Sequence, residues 1–213
     1  MQELLEVMQL LRGPKGCPWD RQQTHDSLAP YLLEEAAEAV DAIAGGDADA
    51  LTEELGDVLL QIAFHVVIAE ETGRFDYRTI EERIVGKLIE RHPHVFGDTE
   101  VSGPAEVVTN WNNIKERQKR DRPGQAQGAE VAPRSLPALM RAAELGRKLG
   151  WDAGTAADIG ALLEQPGDLP DVHVGKLLLA VTDYARALDV NPELALRRAA
   201  DARASLPQAE DDP

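Results

Sequence analysis

Five carboxylates crowd two short stretches of this 213-residue chain: Glu34, Glu35 and Glu38 in the first, Glu54 and Asp57 in the second. If both stretches are helical, residues three or four apart share a face, so Glu35 and Glu38 can point into one site while Glu34 flanks it. Glu54 and Asp57 can do the same from a neighbouring helix. Clustered carboxylates repel and raise one another's pKa unless a cation neutralises them, and hard divalent ions such as magnesium prefer oxygen ligands and water. Either run alone would read as an ordinary solvated helix face. Together they point to a divalent cation site, and a bound cation would let a phosphorylated ligand approach a strongly acidic surface.

The elements that must position these acids are legible. Leu33, Ala37, Val40 and Ala44, then Leu51, Leu55, Val58, Ile62 and Ala69, recur at helical spacing, and no convincing alternating strand is present. The pattern predicts helices over residues 1–12, 27–45, 48–72, 77–92 and 104–120. Gly45-Gly46-Asp47 suits a tight turn, Gly73 a C-terminal stop, Asp76 an N-cap and Pro104 a first helical turn. A connection as short as Gly45-Gly46-Asp47 makes the two acidic helices antiparallel neighbours, so carboxylates at comparable distances from the turn can face each other.

A second helical unit is predicted after residues 121–133, which lack large apolar side chains at helical spacing and read as a linker. Its helices are expected over 136–149, 156–164, 172–188 and 192–205, with 207–213 a disordered acidic tail. The organisation is therefore residues 1–120, a linker, a helical unit over 134–206 and a tail. Gly56-Asp57-Val58-Leu59-Leu60 reappears as Gly175-Lys176-Leu177-Leu178-Leu179, each continuing into an apolar helix. In that register His173 stands opposite Glu54 and Lys176 opposite Asp57, and no EExxE precedes Gly175. An ammonium where a ligand should be opposes cation binding, so the second unit reads as a degenerate, shortened copy that still packs and serves dimerisation, shielding of the first unit or the holding of a partner.

The formal net charge of −16 disfavours binding to a nucleic-acid polymer or an anionic membrane surface. No apolar run is long enough to span a membrane, and the start at Glu3 to Leu11 is acidic and amphipathic, unlike a signal peptide. The single Cys17 forms no internal disulfide, which fits a reducing cytoplasm. Di-iron ligation is weakly supported because no histidine has a glutamate three residues before it, and zinc because one cysteine and dispersed histidines make no tetrahedral set.

EExxE followed by ExxD resembles the all-alpha nucleoside triphosphate pyrophosphohydrolases, and the surrounding sequence is similar to their MazG branch. The segments that carry the likeness are Gly16-Cys17-Pro18-Trp19-Asp20 with Gln23-Thr24, Leu33 to Glu38, Glu54-Leu55-Gly56-Asp57, Arg91 to Phe96, and Trp111 to Lys115. It resumes at Pro133 to Leu139 and so covers nearly the whole chain. The resemblance implies an antiparallel helical bundle in which Glu35, Glu38, Glu54 and Asp57 ligate magnesium, with manganese as a substitute. Glu34 would orient or deprotonate a water that attacks the alpha phosphorus of a nucleoside triphosphate, releasing monophosphate and pyrophosphate. Lys87, Arg91 and Lys115 would contact phosphate, and Trp111 would offer an aromatic surface to the nucleotide, the competing reading of Trp111 and Lys115 being an exposed helix face anchored by the tryptophan. Trp19 is a secondary candidate for stacking on the base, its competing reading being a packing anchor. The family also implies a homodimer or higher oligomer.

Cys17 has no neighbour in sequence that would activate a thiolate, and His92 and His94, flanking Pro93 at a helix end, are read as capping and packing residues. The reading from another functional class is a nucleotide-sensing or protein-binding module that keeps the fold without turnover. Base preference is not encoded in any recognisable motif.

Overall fold

The computed structural model describes residues 1–120, 131–164 and 169–205, so most of the expected linker and the expected tail lie outside the described residues. The regular elements among the described residues are all helical. They fall into two compact units, Met1–Gln118 and Lys119–Pro213.

The first unit is built on a long antiparallel hairpin of α3 (His25–Gly45) and α4 (Ala48–Glu71). Thr24 begins α3 with a capping box: its hydroxyl accepts from the Ser27 backbone N–H while the Ser27 hydroxyl meets the Thr24 N–H, 2.9 Å away. The helix ends where Gly46 takes φ 70°, a left-handed conformation that costs glycine nothing, and its N–H satisfies the Ala42 and Ile43 carbonyls. Asp47 follows at once as the N-cap of α4, its carboxylate accepting from the Asp49 and Ala50 N–H groups. Two residues thus reverse the chain and fix the register of the two acidic helices.

The core lies toward the far end of the hairpin. Ala63, Phe64, Val66, Val67, Ile68 and Ala69 of α4 are buried there against Leu28 of α3 and against Leu5 and Met8 of α1 (Gln2–Arg12). Arg12 closes this end. Its side chain is only 5 % exposed; Nε and Nη2 reach the two Glu71 oxygens at 2.9 and 2.7 Å, while Nη1 donates to the Asp20 and Gln23 carbonyls. One guanidinium therefore ties α1 to α4 and to α2 (Pro18–Gln22).

Beyond Gly73, at φ 64°, Asp76 caps α5 (Tyr77–Arg91) by accepting from the Thr79 N–H. The single turn α6 (Pro93–Phe96) leads to α7 (Pro104–Arg120). No residue of α5 is buried. The helices expected over residues 1–120 are all present, with α3 starting two residues earlier than its periodicity predicts. The one-turn helices α2 and α6 are additions, each opened by a proline at its first position.

In the second unit α8 (Ala138–Leu149), α9 (Ala156–Leu163) and α11 (Pro192–Ala204) each pack against α10 (Pro170–Ala187), and α11 also packs against α8. Arg186 of α10 crosses α8 at Gly146 and joins Asp183 at 2.6 Å to the Trp151 carbonyl at 3.0 Å. No helix among the described residues is long and apolar enough to cross a membrane.

Candidate metal and nucleotide site

Because the turn fixes the register, Glu38 and Glu54 lie at similar sequence distances from it, as do Glu35 and Asp57, and the charges of each pair act on one another across the hairpin. Glu35, Glu38 and Glu54 each offer a carboxylate oxygen within 4.8 Å of the other two. Asp57 completes the group electrostatically, its charge acting on both Glu35 and Glu54. Glu34 is exposed and flanks Glu35, as the helical spacing predicts.

Burial pushes the Glu35 carboxyl above its ordinary range, and the charges of Asp57, Glu38 and Glu34 push it further; a hydrogen bond from Gln61 Nε2, at 3.4 Å, works in the opposite direction. Glu54 is raised by burial and by Glu38, Asp57 and Glu53. The repulsion is the electrostatic counterpart of affinity for a cation. The donor set is all carboxylate, which suits magnesium or manganese better than zinc. Ligands on opposite sides of one octahedral magnesium lie about 4.2 Å apart, so the three oxygens could close on an ion with side-chain adjustment alone.

Trp19 lies on α2 with 49 % of its surface exposed, its ring meeting Tyr31 and Phe64 edge-on at centroid distances of 6.2 and 6.3 Å. Tyr31 precedes Glu35 by one turn of α3. Trp19 thus packs against Tyr31 and Phe64 while part of its surface stays open.

The other expected nucleotide contacts form a second group on α5 and α7. The Arg91 guanidinium stands 5.1 Å from the centre of the Trp111 ring, and its Nε and Nη2 donate to Gln118 Oε1 at 3.0 and 2.8 Å. The His92 ring approaches Trp111 at 4.9 Å. Lys87 and Lys115 are half-buried on the same two helices. Described contacts bring Arg91 to Trp111, and they do not bring this group to the carboxylates.

Two features escaped the sequence reading. Gln61 is buried beside Glu35, and its signal was a polar residue one turn beyond Asp57 on the acidic face of an otherwise apolar run. His25 and His65 stack at a centroid distance of 5.1 Å with their Nδ1 atoms 2.8 Å apart; nothing in the local sequence pairs residues so far apart.

The nucleoside triphosphate pyrophosphohydrolase of Escherichia coli strain K12 is 39 % identical to this chain over 92 % of it and 81 % of the relative. This chain belongs to the MazG family of nucleotide pyrophosphohydrolases. The MazG nucleotide pyrophosphohydrolase domain itself matches residues 23–96, which contain all five acidic candidates together with Lys87 and Arg91. Trp19, Trp111, Lys115 and the second unit fall outside that match. The nucleoside triphosphate pyrophosphohydrolase/pyrophosphatase MazG of Thermotoga maritima is also 39 % identical, over 93 % of this chain and 80 % of its own. A crystal structure of a mazG-related protein from Thermotoga maritima aligns with a TM-score of 0.46 and 25 % identity, over 55 % of this chain and 99 % of that one.

Proposed function

We propose that this chain is a magnesium-dependent nucleoside triphosphate pyrophosphohydrolase that releases a nucleoside monophosphate and pyrophosphate and works in nucleotide-pool housekeeping in the cytoplasm. The observation that carries the reading is the convergence of Glu35, Glu38 and Glu54, in a chain so similar to proteins of that named activity.

Glu35, Glu38, Glu54 and Asp57 would hold magnesium, or manganese in its place. The ion would supply electrostatic stabilisation of charge building on the attacking and leaving oxygens. Glu34, next in sequence to a ligand but outside the converging group, is placed to orient a water or take its proton. Arg91, fixed in plane by Gln118 and Trp111, and Lys87 and Lys115 would hold phosphate oxygens. Trp111 and the exposed face of Trp19 would receive the base. No covalent nucleophile is needed, which suits the inert setting read for Cys17.

A homodimer is part of this reading. Ile80, Ile84 and Leu88 form a stripe along α5 at four-residue spacing, and each is at least one-third exposed. Leu33, Leu55 and Leu59 are exposed on the hairpin as well. A second copy covering such surfaces would also supply neighbours to helices that this chain leaves half-covered. The first unit would be catalytic and the second, with His173 and Lys176 in the ligand register, a degenerate copy kept for packing.

The direct test is a panel of nucleoside triphosphates with and without magnesium, pyrophosphate being resolved from single phosphate, repeated with Glu38→Gln. Magnesium-dependent monophosphate and pyrophosphate, lost in the variant, is the expected outcome. Diphosphate and single phosphate would overturn attack at the alpha phosphorus, and no turnover by folded protein would favour a nucleotide-sensing module.

A further inference from the structure

We propose that Gln61 is the positioning residue of the acidic centre, holding Glu35 in the orientation from which its carboxylate joins Glu38 and Glu54. The proposal rests on the metal-dependent reading above and concerns a residue that is not itself a ligand.

Glu54, Asp57 and Gln61 follow one another along a single face of α4, at steps of three and four residues. Gln61 is the last of the stripe and lies where the helix enters the core, just before buried Ala63 and Phe64 in the chain, with only 4 % of its own surface exposed. From there Nε2 reaches Glu35 Oε1 on the facing helix at 3.4 Å. Glu35 is otherwise surrounded by like charges, namely Glu34, Glu38 and Asp57. A half-exposed carboxylate in that company gains by turning toward solvent and away from its neighbours. Among its described contacts, the Gln61 amide is the group that holds it inward by attraction.

The other end of the same amide sharpens the inference. Oε1 of Gln61 is buried without a hydrogen-bond partner. Leaving a buried acceptor unpaired opposes folding, whereas a leucine or methionine of similar size would carry no such unpaired group. Packing alone therefore selects against glutamine here. What glutamine offers that they do not is a donor aimed at Glu35. Groups that orient a ligating side chain typically alter metal affinity or activity by about 10- to 100-fold when removed.

The test uses the full chain and reads manganese binding by electron paramagnetic resonance titration, alongside thermal melting and steady-state kinetics. The proteins are wild type, Gln61→Leu, Gln61→Met, Gln61→Asn and Glu38→Gln. Gln61→Leu and Gln61→Met are expected to melt no lower than wild type yet bind manganese about 10- to 100-fold more weakly, with kcat falling and KM nearly unchanged. Gln61→Asn keeps the amide but is one methylene too short, and is expected to lose affinity likewise. Manganese affinity within about twofold of wild type in a folded leucine or methionine variant would overturn the proposal, as would loss of folding in both. If Glu38→Gln weakens binding while the Gln61 variants do not, the metal-centred reading survives and this proposal falls. If wild type binds no manganese at all, both fall.

Discussion

His25 opens α3 and His65 lies in the middle of α4, yet their rings stack and their Nδ1 atoms stand 2.8 Å apart. One ring must donate an Nδ1–H and the other accept it, so the pair accommodates a proton between its facing nitrogens but not two. The Phe75 ring stacks near that of His25, at a centroid distance of 6.5 Å.

Acid should therefore loosen the hairpin. Burial, and then the charge of His25, depress the His65 pKa below its ordinary value of 6.5. Between the two values the unfolded chain binds more protons than the folded one, so stability rises with pH in that window. The contribution is fully present above pH 6.5 and is lost as pH falls through the folded value. Chemical denaturation from pH 8 to pH 5, both points set by the ordinary histidine range of about 6.5, is expected to show this loss in wild type and a shallower one in His65→Phe. Equal slopes would show that the pair does not couple to folding.

The acidic centre carries a dependence of opposite sign. Burial and neighbouring charge raise Glu35 and Glu54 above their ordinary value of 4.5, so folding binds protons there. Metal-free protein should lose stability as pH rises from 4.5 through the raised values, other groups held constant. Saturating magnesium should restore that stability at neutral pH, because an ion bound only to the folded state stabilises it by mass action. Thermal melts with magnesium and with chelator test this. Indistinguishable melts at neutral pH would argue against cation binding at these carboxylates.

The exposed stripe on α5 yields a test of assembly. If a second copy covers Ile80, Ile84 and Leu88, Ile84→Glu places an unpaired charge in that interface and should weaken association by at least about tenfold. Sedimentation analysis over a concentration series is expected to show dimeric wild type and a variant shifted toward monomer, with its helical content unchanged. A wild type that sediments as monomer throughout would remove the dimer from the proposed function.

The hairpin was legible because its signals are local and consistent: apolar spacing, a Gly-Gly-Asp turn, and acids three and four apart on each arm. The same spacing put Glu35, Glu38 and Glu54 on facing sides, which the structure brings together. One-turn elements such as α2 and α6 are too short to show a helical period, and only Pro18 and Pro93 at their first positions signalled them. Gln61 and the His25–His65 pair depend on contacts between helices, so their roles became visible only once the register of α3 against α4 was known. Arg91 and Trp111 shared a predicted phosphate and base role, and their direct stacking follows from how α5 and α7 meet, which periodicity does not encode.

The exchange of ligand residues between the two units can be tested within one chain. Glu54 and Asp57 face other carboxylates, whereas their counterparts in register, His173 and Lys176, lie on α10, the first half-buried and the second exposed. An ammonium in a ligand position repels a cation, so removing it from a unit that also lacks EExxE should uncover no site. Lys176→Ala and His173→Ala are expected to leave kcat within about twofold of wild type, while Asp57→Asn should lower it by about a hundredfold or more, since even residues that merely orient ligands cost 10- to 100-fold. Melting and sedimentation of the same variants separate a packing role from a catalytic one. Loss of turnover in Lys176→Ala, with fold and assembly intact, would move chemistry into the second unit and end its reading as a packing copy.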